Sequence, residues 1–301
     1  LAKRFVSSVP GVETLAKLVD KAAFRRTMAE LDVPHPMTVR GDEMGSLERL
    51  PRERLEHFFL KPRDSQRFFS RYGVKGVRVP SLEAASDELM RLNIPAEEML
   101  MQEYIPGPPS HHYFIDGFLD RSGTYRSVFA RQRLRMAPPD FGNSTLMETV
   151  PVSEVDGAVA SLTRLLSHLD YRGIFSGEFK RDTRDGEFKL LEVNARAWWF
   201  VEFATTSGVE VCYQAYLDAL ERDVPTMNDY PVGRRCVHPY YDYHAYRAEK
   251  PGPFTFARWA ASIVGASQPV FSWRDPRPGV SEGIGMVRRR CSSMLRRSSR
   301  G

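Results

Sequence analysis

Cysteine is scarce in this chain of 301 residues, and the three present, Cys212, Cys236 and Cys291, lie far apart. They form no CxxC pair and no zinc-ligand spacing, so neither a disulfide framework nor a zinc centre is expected. A reducing, cytoplasmic setting is the plain reading. No apolar run approaches the roughly 18–20 residues that a membrane helix needs. No charged-then-apolar secretory leader opens the chain. It starts on Leu1, not Met, which reads as a fragment or a trimmed protein. An internal repeat, a GxxxxGK[ST] phosphate loop and a Ser–His–Asp or Cys–His arrangement are all missing. His111 and His112 are adjacent, so on a strand they point to opposite faces and are poorly placed to chelate one metal.

The composition, 42% hydrophobic and 27% charged, is that of an ordinary globular protein with one large domain or two modest ones. The net charge of +5 comes from one end: residues 288–301 carry six arginines and no acid, and without them the balance is −1. That tail reads as a solvated, disordered end. An anchor for anionic lipid or nucleic acid is the sharper alternative, but the aromatics of a single-strand binder are lacking. Nucleic acid is therefore not expected as a partner, and nothing in the pattern decides the oligomeric state, a homodimer being one option.

Periodicity places helices over 14–31, 81–92, 153–169 and near 209–222. Short apolar runs place strands over 57–62, 98–107, 111–120 and 124–135, the last two joined by a turn at Asp120–Gly123. The stretch GIFSGEFKRDTRDGEFKLLEVNAR is a hairpin turning at Thr183–Gly186. From Tyr230 the chain becomes rich in Pro, Gly, aromatic residues and Arg, and a boundary is placed there. Helices mixed with hairpins indicate an α+β fold.

The hairpin carries the strongest chemical signal. If it centres on Asp185, Glu178 lies directly opposite Glu192; a bulge near the turn would shift this by one residue. Alternation then sets Glu192, Asn194 and Arg196 on one face, with Leu191, Val193 and Ala195 turned into the core. Opposed carboxylates destabilise a sheet unless a cation lies between them. Two carboxylates and an amide are hard oxygen donors, which favour magnesium or manganese. Arg196 on that face suits a phosphate or carboxylate. The alternative is an exposed face neutralised by Lys180, Lys189 or Arg196. Other candidates are individually weaker. Lys61 ends an apolar strand, where it either meets an anion or snorkels. Residues 63–76 form a basic loop with Gly73 and Gly76. Gln102–Ile105 sits at a strand end, with an amide beside backbone groups that suit an adenine edge. Arg131, Arg133 and Arg135 alternate on one strand face and repel unless acids or a bound anion separate them.

In chain order, DKAAFRRTMAELDVPHPMT, FFLKP, MLMQEYIPG and EFK…LLEVNAR resemble the ATP-grasp superfamily of carboxylate–amine or carboxylate–thiol ligases, from about Asp20 to about Asp223. The most specific part is the E-x-N-x-R ending, with an acid 14 residues before its glutamate. The resemblance implies two α+β lobes gripping a nucleotide. The small lobe would span 21–104 and the large lobe 105–229. An N-terminal remnant would cover 1–20, a C-terminal extension 230–287, and the basic tail 288–301. It implies that Lys21 and Lys61 contact ATP phosphates, that Gln102 faces the adenine amino group, and that the backbone of Glu103, Tyr104 and Ile105 reads the ring. Glu178, Glu192 and Asn194 would hold Mg2+ or Mn2+. Arg196, with one or more of Arg131, Arg133 and Arg135, would stabilise the transferring phosphoryl group. The implied activity is an ATP-dependent ligase that activates a small carboxylate as an acyl phosphate and joins it to an amine, releasing ADP and phosphate. A bicarbonate-using enzyme of the carbamoyl-phosphate or biotin-carboxylase type, or a non-catalytic ATP-binding module, is the alternative. The sequence departs from the pattern past the hinge: PGPPSHH stands where an acid for the ribose is usual.

Overall fold

A computed structural model describes residues 9–63, 76–138, 142–249, 252–272 and 274–285. The Arg-rich tail and most of the 63–76 loop lie outside these. Two antiparallel sheets organise the rest. The smaller has the order β1-β4-β2-β3, from Thr38–Arg40 (β1), Phe58–Pro62 (β2), Val77–Arg78 (β3) and Met99–Glu103 (β4). The larger has the order β10-β7-β6-β5-β8-β9. Its strands are His112–Leu119 (β5), Tyr125–Ala137 (β6), Asn143–Thr149 (β7), Gly173–Arg181 (β8), Phe188–Asn194 (β9) and Arg235–Val237 (β10). The arrangement is α+β, as expected.

The N-terminal helical stretch is two helices, Val12–Val19 (α1) and Lys21–Glu30 (α2), where the apolar pattern predicts one. Asp20 makes the break. Its backbone is extended, and its carboxylate accepts from the amides of Ala22 and Ala23, a side-chain cap that outcompetes helix continuation. Helix Leu82–Leu92 (α3) starts where expected, with Ser81 as N-cap. It covers the small sheet, whose core includes Phe58, Leu60, Leu89, Met99 and Met101.

Each face of the large sheet has its own core. On one, helix Asp156–His168 (α4) packs with α1 and α2 on Tyr113, Ile115, Phe175, Phe179 and Leu190. On the other, helices Val201–Thr206 (α5) and Val211–Ala219 (α6) pack on Phe114, Phe118, Phe129, Met147 and Ile174. Alternation along β5, β6 and β8 sorts most of the residues, with breaks where the β5–β6 and β6–β7 registers shift. The second face also carries the polar side chains that matter below.

Residues past Tyr230 join this sheet. β10 pairs with β7 in the register Cys236↔Met147, and the Tyr230 hydroxyl bridges the Ala130 amide and the Val150 carbonyl. Helices Pro239–Glu249 (α7) and Thr255–Ser262 (α8) follow. Asp242 of α7 is wholly buried and accepts from Arg135 twice, at 2.9 and 2.6 Å, from Thr145 at 2.8 Å and from the Trp259 indole at 2.9 Å. Removing one partner of a buried ion pair typically costs about 3–5 kcal/mol. Asp242→Ala should therefore lower unfolding stability by about that amount, read from urea denaturation; a change below about 1 kcal/mol would show the network to be dispensable.

Candidate active site

The hairpin β8–β9 opposes Glu178 and Glu192 directly, as the symmetry about Asp185 predicts. Beyond this pair the register slips: Phe179 faces Leu190, and Leu191 is left over as a bulge. The bulge corrects one expectation. Leu190, not Leu191, enters the core, and Leu191 is turned to the cleft between the sheets. The turn closes through the Gly186 amide on the Asp182 carbonyl, with Gly186 at φ +77°, a conformation glycine adopts without penalty.

A cavity of about 300 Å³ lies in that cleft. The small sheet and hinge contribute Phe59, Lys61, Gln102, Glu103, Tyr104 and Ile105 to its wall. From the large sheet come His112, Arg133, Lys180, Leu191 and the two glutamates. Eight of the residues singled out in the sequence thus meet at one cavity: Lys61, Gln102, Glu103, Tyr104, Ile105, Arg133, Glu178 and Glu192. Asn194 adjoins them, its amide nitrogen donating to Glu192 at 3.1 Å. Lys21 lies alongside, donating to the Pro62 carbonyl and lining with Lys61 a narrow space next door. Arg196 is exposed at the end of β9 and donates to the Ala197 carbonyl.

The three arginines of β6 part company. Arg131 is buried on Asp116, with Nε 2.5 Å from Oδ2, and its guanidinium lies over Phe114 at 4.1 Å. Arg135 pairs with Asp242, away from the cavity. Only Arg133 reaches the cavity. It donates to Glu178 at 2.9 Å and to Ser144 at 2.9 Å, and sits 2.9 Å from His112 Nδ1. Burial raises the Glu178 pKa; Arg133 opposes that, Glu192 reinforces it, and Lys61 reaches across the cleft to lower it again. Burial, with Arg133 and Lys180 nearby, pushes the His112 pKa well below its ordinary value, so the imidazole is neutral at pH 7. Nδ1 then accepts from Arg133.

His112 and Lys180 were not foreseen as site residues. Lys180 is two positions beyond Glu178, hence on the same face. His112 pairs with Lys180 across β5–β8, a partnership no sequence spacing displays. The Lys180 ammonium lies 4.3 Å from the centroid of Tyr104, and the Arg78 guanidinium 4.2 Å.

The Gln102 amide donates to Thr38 at 3.0 Å and accepts from Lys61 at 3.5 Å. The amides of Glu103 and Tyr104 are committed to the carbonyls of Met37 and His57. The Glu103 carboxylate is taken by Arg184 of the hairpin turn at 2.7 Å. Arg184 also clasps the buried Asp182, at 2.6 Å. The turn of the hairpin is thereby tied to the hinge.

The donor set Glu178, Glu192 and Asn194 is all oxygen. It fits a hard divalent ion that keeps positions open for phosphate. Among the described residues no group of three His, Cys, Asp or Glu is placed to hold a metal ion.

No family model matches the chain. A D-aspartate ligase of Enterococcus faecium (strain Aus0004) is 25% identical over 221 residues, 70% of this chain and 52% of that protein. Among solved structures, the biotin carboxylase domain of Hydrogenobacter thermophilus 2-oxoglutarate carboxylase, in complex with MgADP, ADP and bicarbonate, superposes with a TM-score of 0.58. The match is 14% identical and covers 78% of this chain and 52% of that one. An L-amino acid ligase from Bacillus licheniformis gives 0.50 at 16% identity, over 69% and 49%. These share the ATP-grasp fold, and this chain has that fold too. It spans about half the length of the relatives it matches. Among the described residues no helix is long and apolar enough to cross a membrane.

The Arg184 link yields a pH-dependent expectation. Burial alone would raise the Asp182 pKa; the Arg184 bonds outweigh it and hold the carboxyl below its ordinary value. A depressed carboxyl stabilises the fold above its unfolded pKa, about 3.9, and the contribution is lost as pH falls through the folded value. Arg184→Gln should thus lose about 1–3 kcal/mol at pH 7, with the gap to the unaltered protein narrowing below about pH 4. Parallel urea titrations at pH 7 and pH 3 check this; a gap that does not narrow refutes it.

Proposed function

We propose that the chain is the nucleotide-gripping core of an ATP-dependent ligase that activates a carboxylate and joins it to an amine. The carrying observation is the Glu178–Glu192 pair, opposed on β8–β9 within one cavity with Lys61, Arg133 and the hinge. Glu178, Glu192 and Asn194 would hold Mg2+ or Mn2+, which when bound neutralises the developing phosphoryl charge. Lys61 is the phosphate cation on the small lobe, Lys21 stands beside it, and Gln102 takes the adenine with hinge backbone groups other than the paired amides of Glu103 and Tyr104. In this reading Arg133 is pre-positioned by Ser144 and His112 to stabilise a phosphoryl oxygen, and preorganised charge of this kind does most of the work in phosphoryl transfer. Arg196 serves the same end from the rim. Arg131 and Arg135 act at one remove, by holding β6 in place through their acids.

Chemically, γ-phosphoryl transfer to a substrate carboxylate oxygen gives an acyl phosphate and ADP. Attack of the amine nitrogen on the acyl carbon then forms the amide and expels phosphate. The amine rather than the bicarbonate version is favoured by the likeness to D-aspartate ligase, which is the stronger in sequence. A cytoplasmic setting belongs to the same reading, and Cys212 and Cys236 are free thiols.

Glu192→Gln removes one carboxylate from the opposed pair without removing bulk. It should abolish ADP release in a screen of small carboxylates and amino acids, while the fold is kept. Full activity in that variant would sink the assignment. ADP release that depends on bicarbonate and on no added amine would favour the carboxylase alternative.

A further inference from the structure

The polar face of the large sheet does not end at Arg133. Past β9 the chain turns back across it. Trp198 lies over Arg131, its ring 5.6 Å from the guanidinium, and both Arg131 and Arg133 lie over Phe114. The next residue, Trp199, reaches the far edge of the sheet. There it meets His238, which follows β10, at 5.1 Å, and Tyr241 of α7 at 6.2 Å; His238 and Tyr241 are 4.6 Å apart. This three-ring cluster does not behave like core. Trp199 is 44% and Tyr241 39% exposed. Glu282 adjoins it, with a carboxylate oxygen 3.3 Å from His238 Nε2 and a side chain 30% exposed.

Two buried polar atoms have no hydrogen-bond partner: Nδ1 of His238, within the cluster, and Nε1 of Trp198, the residue before Trp199. Both residues are more than nine-tenths buried. Buried polar groups are normally satisfied, and an exception needs a reason. The aromatic cluster has no need of them for packing, since phenylalanine would fill either place at less cost. Ring faces beside a carboxylate are the chemistry that captures an ammonium ion. The unpaired His238 Nδ1 can serve a polar group carried on the same molecule once it displaces the covering side chains.

The geometry points to Trp199, His238, Tyr241 and Glu282 as the subsite for the acceptor, a molecule bearing a primary ammonium group. It rests on the ligase reading, because only there is an amine needed. It also accounts for position. The cluster shares a sheet face with Arg133 and Glu178, on the β7–β10 side, while the nucleotide cavity occupies the β8–β9 side.

The test titrates the full chain with n-butylammonium and with neutral n-butanol, following tryptophan emission. A saturable response to the cation, at least tenfold weaker for the alcohol, is expected. Glu282→Gln and Tyr241→Leu should each weaken the cation response about tenfold and leave ADP affinity, measured by calorimetry, within twofold. Equal responses to cation and alcohol, or a Glu282→Gln response equal to that of the unaltered chain, would overturn the site. So would a Trp199→Ala variant that sediments as a monomer where the unaltered chain is a dimer, since a second copy would then cover the cluster. Failure of the unaltered chain to bind ADP would instead overturn the ATP-dependent reading and leave an amine site without its acceptor role.

Discussion

A carboxylate that faces another carboxylate across paired strands needs a cation nearby, and much of the large sheet is arranged around that need. Glu178 and Glu192 are opposed on β8–β9. The cation is Arg133, two strands away, which reaches Glu178 because β5 lies between them with only Phe114 to cross. An arginine so deeply buried must itself be held, and Ser144 and His112 do this. Its neighbours on β6 meet the same constraint. Arg131 takes Asp116 from β5, and Arg135 takes Asp242 from α7. β6 is thus an electrostatic spine, with acids recruited from three separate parts of the chain. This gives the segment after Tyr230 a structural purpose: without Asp242, Arg135 would be buried unpaired.

The same hairpin couples the site to the hinge. Its far end carries Arg184, bonded at once to Asp182 below it and to Glu103 at the end of β4. The Leu190 amide donates to the Pro34 carbonyl, and Arg164 of α4 donates to the carbonyls of Leu31 and Asp32. Two strands therefore carry the candidate metal ligands at one end and the link to the small lobe at the other. A change in the angle between the two sheets would alter the distance from Lys61 to Glu178 and Glu192, which the hairpin itself holds together.

What the sequence disclosed and what it hid divide along physical lines. The Glu178–Glu192 opposition was legible from symmetry about Asp185, but the turn itself centres between Arg184 and Asp185, and it is the bulge that restores the pairing. The bulge at Leu191 was not, since nothing local marks it, and it reversed the facing of that residue. Asp20 was missed as a helix boundary because its cap interrupts the apolar stripe without a proline or glycine to announce it. β1 and β10, three residues each, are too short to show a period of two. The arginine ladder was seen, but its partners were not: Asp116, Glu178 and Asp242 lie 15, 45 and 107 residues from their arginines. The fold was reached through motif order, and local periodicity alone would have stopped at α+β.

The charges in the cavity also bear on how a nucleotide and a metal would be taken up. Lys61, Lys180 and Arg133 face Glu178 and Glu192, while His112 is held neutral. Three cations line the cavity with three carboxylates, of which Glu103 is taken by Arg184, so a bare divalent ion would enter a site with no anionic surplus and an arginine on one of its ligands. A polyphosphate changes that balance. It offers Lys61 and Lys180 further anionic contacts and gives Arg133 an alternative to Glu178, freeing that carboxylate as a ligand. Magnesium is commonly held by one or two carboxylates together with substrate phosphates. In the proposed function, then, the sheet is built to accept metal and nucleotide together, and the Arg133–Glu178 bond is what keeps the opposed glutamates stable until they arrive.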